Sequence, residues 1–241
     1  MLKTFAFRLV DVFTSVPFGG NPLAVFLDAR GLPERQEGER QRVVFENDAG
    51  AISVTLIAPM LTMQQPRPTL GAVLQDRDAV AAMLGLDATA LVPELPVQAA
   101  SCGVPYLLVP VVSREALARI RFRLDIWERV LRRSPHPQVY AFTLDSSEGG
   151  AHARCRMFAP GMGVQEDPAT ATAAGPLAAY FVDQGLLPTP GPLELKFEQG
   201  IEMGRPSSLH VLGEQNGQEI LSLRVGGQCV AVGQGIIQAE V

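Results

Sequence analysis

The chain has 241 residues, 47% of them hydrophobic and 19% charged, which gives it the material for one large domain or two modest ones and excludes a disordered polymer. A net charge of -5 and a pI near 5.3 argue against a nucleic-acid or membrane-surface role. The basic run at residues 119–133 reads as the solvated face of a helix. Cys102, Cys155 and Cys229 are odd in number, widely spaced and form no CxxC. They therefore read as reduced buried thiols, with neither a disulfide framework nor a zinc site expected. No apolar run reaches the length of a membrane span and no signal peptide is recognisable, so a cytoplasmic location is the expectation.

In chain order, "TFAFRLVDVFT" (4–14) alternates as a strand does, "SVPFGGNP" is a glycine–proline turn, and "LAVFLDA" (23–29) is a second strand. "GLPERQEGERQ" (31–41) is polar and aperiodic. "RVVFEND", "GAISVTLIA" and "LTMQQP" are short strands. "RPTLG" (67–71) reads as a proline-rich loop, and "DRDAVAAMLGL" (76–86) as a short amphipathic helix stopped by Gly85. After the proline-rich dip at 92–97, the best boundary between two halves, come a strand pair (96–111) and a helix over 113–133 capped by Ser113. "QVYAFTLD" and "ARCRMFAP" follow as strands. A helix over 168–184 and four more strand-like runs complete the chain. The class is α+β, with many antiparallel-looking strands and few helices.

The helix over 168–184 carries the functional signal. Asp167 is a strong helix cap, Pro168 suits the first helical position, and Gly185 with Pro188 marks the stop. Its body is alanine-rich, so it is closely surrounded on all sides, and an acid and two threonines at its start point to a site there. The two halves also match internally. Phe45-Glu46 with Gly50 answers Phe197-Glu198 with Gly200. In the second half the buried helix precedes this motif, whereas in the first half only 31–41 stands in its place.

"DVFTSVPFGGNPLAVFLDA" (11–29), "ASCGVPYLLVPV" and "RMFAPGMGVQEDPATATAAGPLAAY" (156–180) resemble the signatures of the phenazine-biosynthesis PhzF-like proteins. The resemblance implies the diaminopimelate-epimerase-like fold: two pseudo-symmetric domains, each a curved, mostly antiparallel sheet around a central helix. Here these are residues 1–96 and 97–231, the second with central helix 168–184 and with strand 232–241 returning to the first. It implies a substrate between the domains, facing both helix tips, and no metal or organic cofactor. It also implies a cofactor-independent isomerase or epimerase moving a proton on a small carboxylate-bearing metabolite, and a homodimer. Asp167 is then the catalytic candidate, and Asn21, Thr170, Ala171 and Thr172 are the substrate-binding candidates.

Two departures bear on this expectation. The family's Ser-Glu-Thr motif, which holds its proton-transfer Glu, and its Gly-His-Pro-Thr motif at the first central helix are both missing. About 50 residues are absent between Pro33 and Arg42, the length of a helix plus two or three strands. The usual Gly-Ser after the Asp-Pro-Ala-Thr run is here Ala171-Thr172, and Ala174 stands where histidine is common. A catalytically degenerate homologue that binds a small anion or a partner subunit is therefore the second reading. Other residues read more simply: Glu166 as a solvated or salt-bridged neighbour, His136 as a surface-loop residue, His152 and His210 as core or edge histidines. Cys102 lies away from any helix start and is no expected nucleophile.

Overall fold

The computed structural model describes residues 2–26, 40–47, 50–145, 150–187 and 191–240. Most of the junction expected between Pro33 and Arg42 lies outside these residues. Among them the strands are β1 (Leu2–Val12), β2 (Asn21–Phe26), β3 (Arg40–Asn47), β4 (Gly50–Ile57), β5 (Met60–Gln64), β6 (Thr69–Val73), β7 (Gln98–Ser101), β8 (Pro105–Pro110), β9 (Gln138–Thr143), β10 (Ala153–Ala159), β11 (Val164–Asp167), β12 (Gly191–Gln199), β13 (Ser207–Asn216), β14 (Glu219–Gly227) and β15 (Cys229–Glu240). The helices are α1 (Arg77–Met83), α2 (Arg114–Arg119), α3 (Leu124–Val130) and α4 (Ala171–Asp183). The α+β class read from the sequence is what the chain forms.

A three-stranded sheet has the order β15-β1-β2. A second sheet runs β3-β4-β5-β14-β13-β12-β10-β9-β8-β7-β6, with β11 paired on β10. All pairings are antiparallel except β8 with β9 and β10 with β12. The strand period of two sorts β8 and β9 onto two cores. Tyr106, Leu108, Tyr140 and Phe142 face α4, while Leu107, Val109, Val139 and Ala141 face α1, α2 and α3.

α4 is buried continuously from Ala173 to Val182. Its small side chains let strands approach from several directions: a Cβ on Gly175 would stand 3.1 Å from both the Cys102 sulfur and a Leu223 methyl. Tyr180, fully buried, satisfies its hydroxyl by donating to the Pro96 carbonyl at 2.8 Å.

Three sequence expectations are corrected. The helix over 113–133 is two helices, because the amides of Arg121 and Arg123 bond the carbonyls of Leu84 and Met83, pulling the chain out of helical geometry between them. Thr69–Val73 is an edge strand on β7, where a loop was expected. The central helix starts at Ala171, because Asp167 ends strand β11 and Thr170 is the residue before the first helical turn.

The three-stranded sheet carries its apolar residues in the open. Leu9 is 41% exposed, Leu23 49% and Ile236 69%, and no helix is packed on them among the described residues. Leu177→Ala, in α4, is expected to cost about 2–5 kcal/mol because it leaves a cavity. Leu9→Ala should cost under about 1 kcal/mol. Urea unfolding of both variants reads the difference, and equal costs would mean that the small sheet is covered after all.

Candidate functional site at the tip of α4

The loop between β1 and β2 is shaped by one buried acid. Asp11, 2% exposed, accepts the Phe18 amide at 2.7 Å and pairs with Arg205. The same arginine donates to the carbonyls of Gly19 and Gly20, each at 2.8 Å. Gly20 is bound to this turn by a φ of +59°, and a Cβ there would fall 2.1 Å from the Val12 carbonyl oxygen. This clasp sets Asn21, the first residue of β2, against the foot of α4.

There Asn21 Nδ2 donates to Asp167 Oδ1 at 2.8 Å and to the Ala169 carbonyl at 3.1 Å. The Thr170 hydroxyl donates to Asp167 Oδ2 at 2.5 Å. Gln199, wholly buried at the end of β12, donates to the Asp167 carbonyl at 2.7 Å and to the Thr170 hydroxyl oxygen at 2.9 Å. Its own carbonyl accepts the Thr170 amide at 3.2 Å. Ser207, across the β12–β13 ladder from Gln199, donates to the Pro168 carbonyl at 2.9 Å. The turn from Asp167 to Thr170 is thus held by side chains from β2, β12 and β13.

Asp167 and Thr170, from the Asp-Pro-Ala-Thr run, and Asn21, 146 residues away, meet in one hydrogen-bonded cluster. The acid spends its oxygens on side-chain donors, so it does not cap the helix, and Thr170 makes no side-chain cap either. The first intrahelical bonds are made by Ala173 and Ala174, both to the Thr170 carbonyl, so the amides of Ala171 and Thr172 precede the helical ladder. Both residues are partly exposed. The Thr172 hydroxyl shares a 2.6 Å bond with the hydroxyl of Tyr106, which enters from β8.

Burial pushes the Asp167 carboxyl above the ordinary 3.8 of an aspartate, and the bonds from Thr170 and Asn21 oppose this only in part. Burial likewise raises the Tyr106 phenol, against the bond from Thr172.

The neighbours take structural parts. Glu166 is gripped by Arg156 through two 2.8 Å bonds, and that guanidinium also donates to the Leu117 carbonyl. Cys102 is buried against the flank of α4 and its thiol is pushed up to about 12, so it stays protonated. Nδ1 of His152 accepts the Lys196 amide. Among the described residues no group of His, Cys, Asp and Glu is disposed to hold a metal ion, and no helix is long and apolar enough to cross a membrane.

Gln199, Tyr106, Asp11 and Arg205 escaped the sequence reading. Gln199 directly precedes Gly200, whose φ of +76° swings the chain under Pro168; that glycine within the internal repeat was the available signal. Nothing local marks the other three.

The profile of the phenazine biosynthesis-like (PhzC-PhzF) family matches residues 34–235. The chain belongs to this family. It is 31% identical to the trans-2,3-dihydro-3-hydroxyanthranilate isomerase of Pseudomonas aeruginosa, over 94% of this chain and 77% of that protein. An uncharacterized isomerase of Mesorhizobium japonicum is 29% identical, with 97% of this chain and 99% of that protein covered. This second alignment runs over 301 positions but takes in only 97% of the 241 residues here, about 234, so that protein has about 67 residues with no counterpart in this chain. The crystal structure of a PhzF-family protein from Bacillus anthracis superposes with a TM-score of 0.86 at 20% identity, covering 98% of this chain and 99% of that one. The diaminopimelate-epimerase-like fold expected from the sequence is therefore present.

A carboxyl whose pKa is higher folded than unfolded binds its proton more tightly when folded. The stability it adds is complete below the ordinary 3.8 and is lost as pH rises through the folded value. Urea midpoints measured from pH 4 to pH 7 should therefore fall more steeply in the native protein than in Asp167→Asn. Parallel profiles would show that burial leaves this carboxyl unperturbed.

Proposed function

We propose that the chain is a cofactor-independent isomerase that moves a proton on a small carboxylate-bearing metabolite, bound in a cleft between its two halves. The observation that carries the reading is the cluster itself: a carboxyl raised by burial stands beside two helix-start amides. Amides in the first turn of a helix, backed by about half an elementary positive charge, suit a substrate carboxylate and the negative charge that develops as a proton leaves carbon. In this reading Ala171 and Thr172 supply those amides, and Asn21 and Thr170 hold Asp167 for the proton transfer.

The step balances with one group. The Asp167 carboxylate takes a proton from carbon, the bonding electrons pass into the conjugated system of the substrate, and the resulting carboxylic acid returns the proton to a second carbon. One group serving both carbons acts on one face of the substrate, so the product is a positional isomer and not a mirror image. The P. aeruginosa relative's substrate, trans-2,3-dihydro-3-hydroxyanthranilate, has a carboxylate and is the first compound to try.

A second reading, binding without chemistry, is favoured by one observation: among the described residues no second acid bonds or acts on the Asp167 carboxyl. Incubation with that compound in D2O separates the two. An isomerase transfers deuterium to a ring carbon by NMR, and Asp167→Asn slows the transfer by about 10²-fold or more. A binder raises its melting temperature with ligand and exchanges nothing.

A further inference from the structure

The groups that bond the Asp167 side chain have their directions fixed by neighbours that cannot reverse. A main-chain carbonyl only accepts and a main-chain N–H only donates. The end of the Gln199 amide that faces the Asp167 carbonyl at 2.7 Å is therefore its NH2, and the end that faces the Thr170 amide at 3.2 Å is its oxygen. Tyr140, fully buried on β9, meets that oxygen at 3.1 Å and must donate to it. The second Gln199 N–H points at the Thr170 oxygen at 2.9 Å, so the single hydrogen of that hydroxyl goes to Asp167 Oδ2. On the other side Asn21 Nδ2 faces the Ala169 carbonyl, which fixes the same group as the donor to Asp167 Oδ1. Both carboxyl oxygens thus receive hydrogens whose direction is set two bonds away.

We propose that Gln199 is a positioning residue that sets the proton polarity of the site: through Thr170 it holds Asp167 as an acceptor at Oδ2, as Asn21 does at Oδ1, so that Asp167 enters the reaction as the base. The proposal rests on the isomerase reading for its use in catalysis, but the polarity is a property of the resting protein. Gln199 is suited to it. It is 0% exposed, it satisfies both lone pairs and both hydrogens, and none of its four partners is a charged side chain. A Glu at this position would lack the donor that turns Thr170.

The titratable and charged groups around Asp167 are few. Tyr106 stands on β8 and Tyr140 on β9. Adjacent Glu166 is neutralised by Arg156, and on the β1–β2 side Arg205 is engaged by Asp11. No ion pair to Asp167 is present among the described residues, so hydrogen bonds are what oppose its burial.

The test is a pH titration by NMR of protein labelled with 13C at aspartate Cγ, the Asp167 signal being assigned by its loss in Asp167→Asn. Thr170→Val and Gln199→Met should each move the Asp167 midpoint up by about one pH unit. Thr170→Ser, which keeps the hydroxyl, should leave it in place. Tyr140→Phe, which touches neither Thr170 nor Asp167, should move it in the same direction by less. Unchanged midpoints in Thr170→Val and Gln199→Met overturn the proposal. If Gln199→Met does not fold, the native protein decides: the Gln199 side-chain 15N shift must follow the Asp167 titration, and a flat shift overturns the idea. Deuterium transfer to substrate is scored separately. Shifted midpoints without transfer leave the polarity standing and sink the isomerase reading, whereas transfer with unmoved midpoints sinks the polarity alone.

Discussion

The burial of α4 on every side is the constraint from which the site follows. A helix enclosed along its length cannot present a side face to a ligand, and at Gly175 even a methyl group would crowd its neighbours, lying 3.1 Å from Cys102 and Leu223. What it can offer is its end. Helix ends carry unpaired amides, so a buried helix needs either polar partners there or access to water or ligand. This chain divides the two demands by position. Residues 167–170 are tied down by Asn21, Gln199 and Ser207, and the next two residues are partly exposed.

The same division explains why Asp167 stands beside the helix end and does not cap it. A carboxylate bonded to the first-turn amides would occupy the place an anionic ligand needs. Turned aside by Asn21 and Thr170, Asp167 leaves those amides open and remains within the same corner. Its environment sets two opposing tendencies, burial favouring the neutral form and two donors favouring the charged one, and burial is the larger. A carboxyl balanced in this way lies nearer to the range in which it can both take and return a proton than a free aspartate does.

Much of the fold was legible in the sequence because it is written in local periods. The strand alternation in "QVYAFT" and "PYLLVP" marks two faces, and both faces are buried. The alanine run marks α4. Asp167 and Thr170 were legible as candidates because they stand at a helix start, and Asn21 through the family resemblance of its glycine–proline turn. The local rules failed where distant groups compete for the backbone. The carbonyls of Leu84 and Met83 take amides that a helix over 113–133 would have used, and nothing near Arg121 announces it. Helix-capping rules placed the helix start at Asp167, since they assume that the acid's nearest donors are its own downstream amides. Here Asn21, 146 residues away, is the better-placed donor. Gln199, Tyr106 and Arg205 share that character: each matters through a partner far along the chain, and a single sequence does not show such pairs.

The open three-stranded sheet follows from the same logic applied to the first half. In the second half, an apolar sheet face and α4 cover one another, and neither is stable without the other. In the first half the sheet β15-β1-β2 bears Leu9, Leu23 and Ile236 well exposed, and the Mesorhizobium japonicum relative has about 67 residues without counterpart here. The second half is self-sufficient in this respect, and so is the clasp that reaches it from the first half. Asp11, Arg205 and the Gly19–Gly20 turn deliver Asn21 to Asp167 without help from any helix in the first half. The site therefore keeps the half built on α4 together with the one first-half side chain that β1 and β2 can carry by themselves. Among the described residues, what this corner offers to chemistry is a single carboxyl and a single helix end.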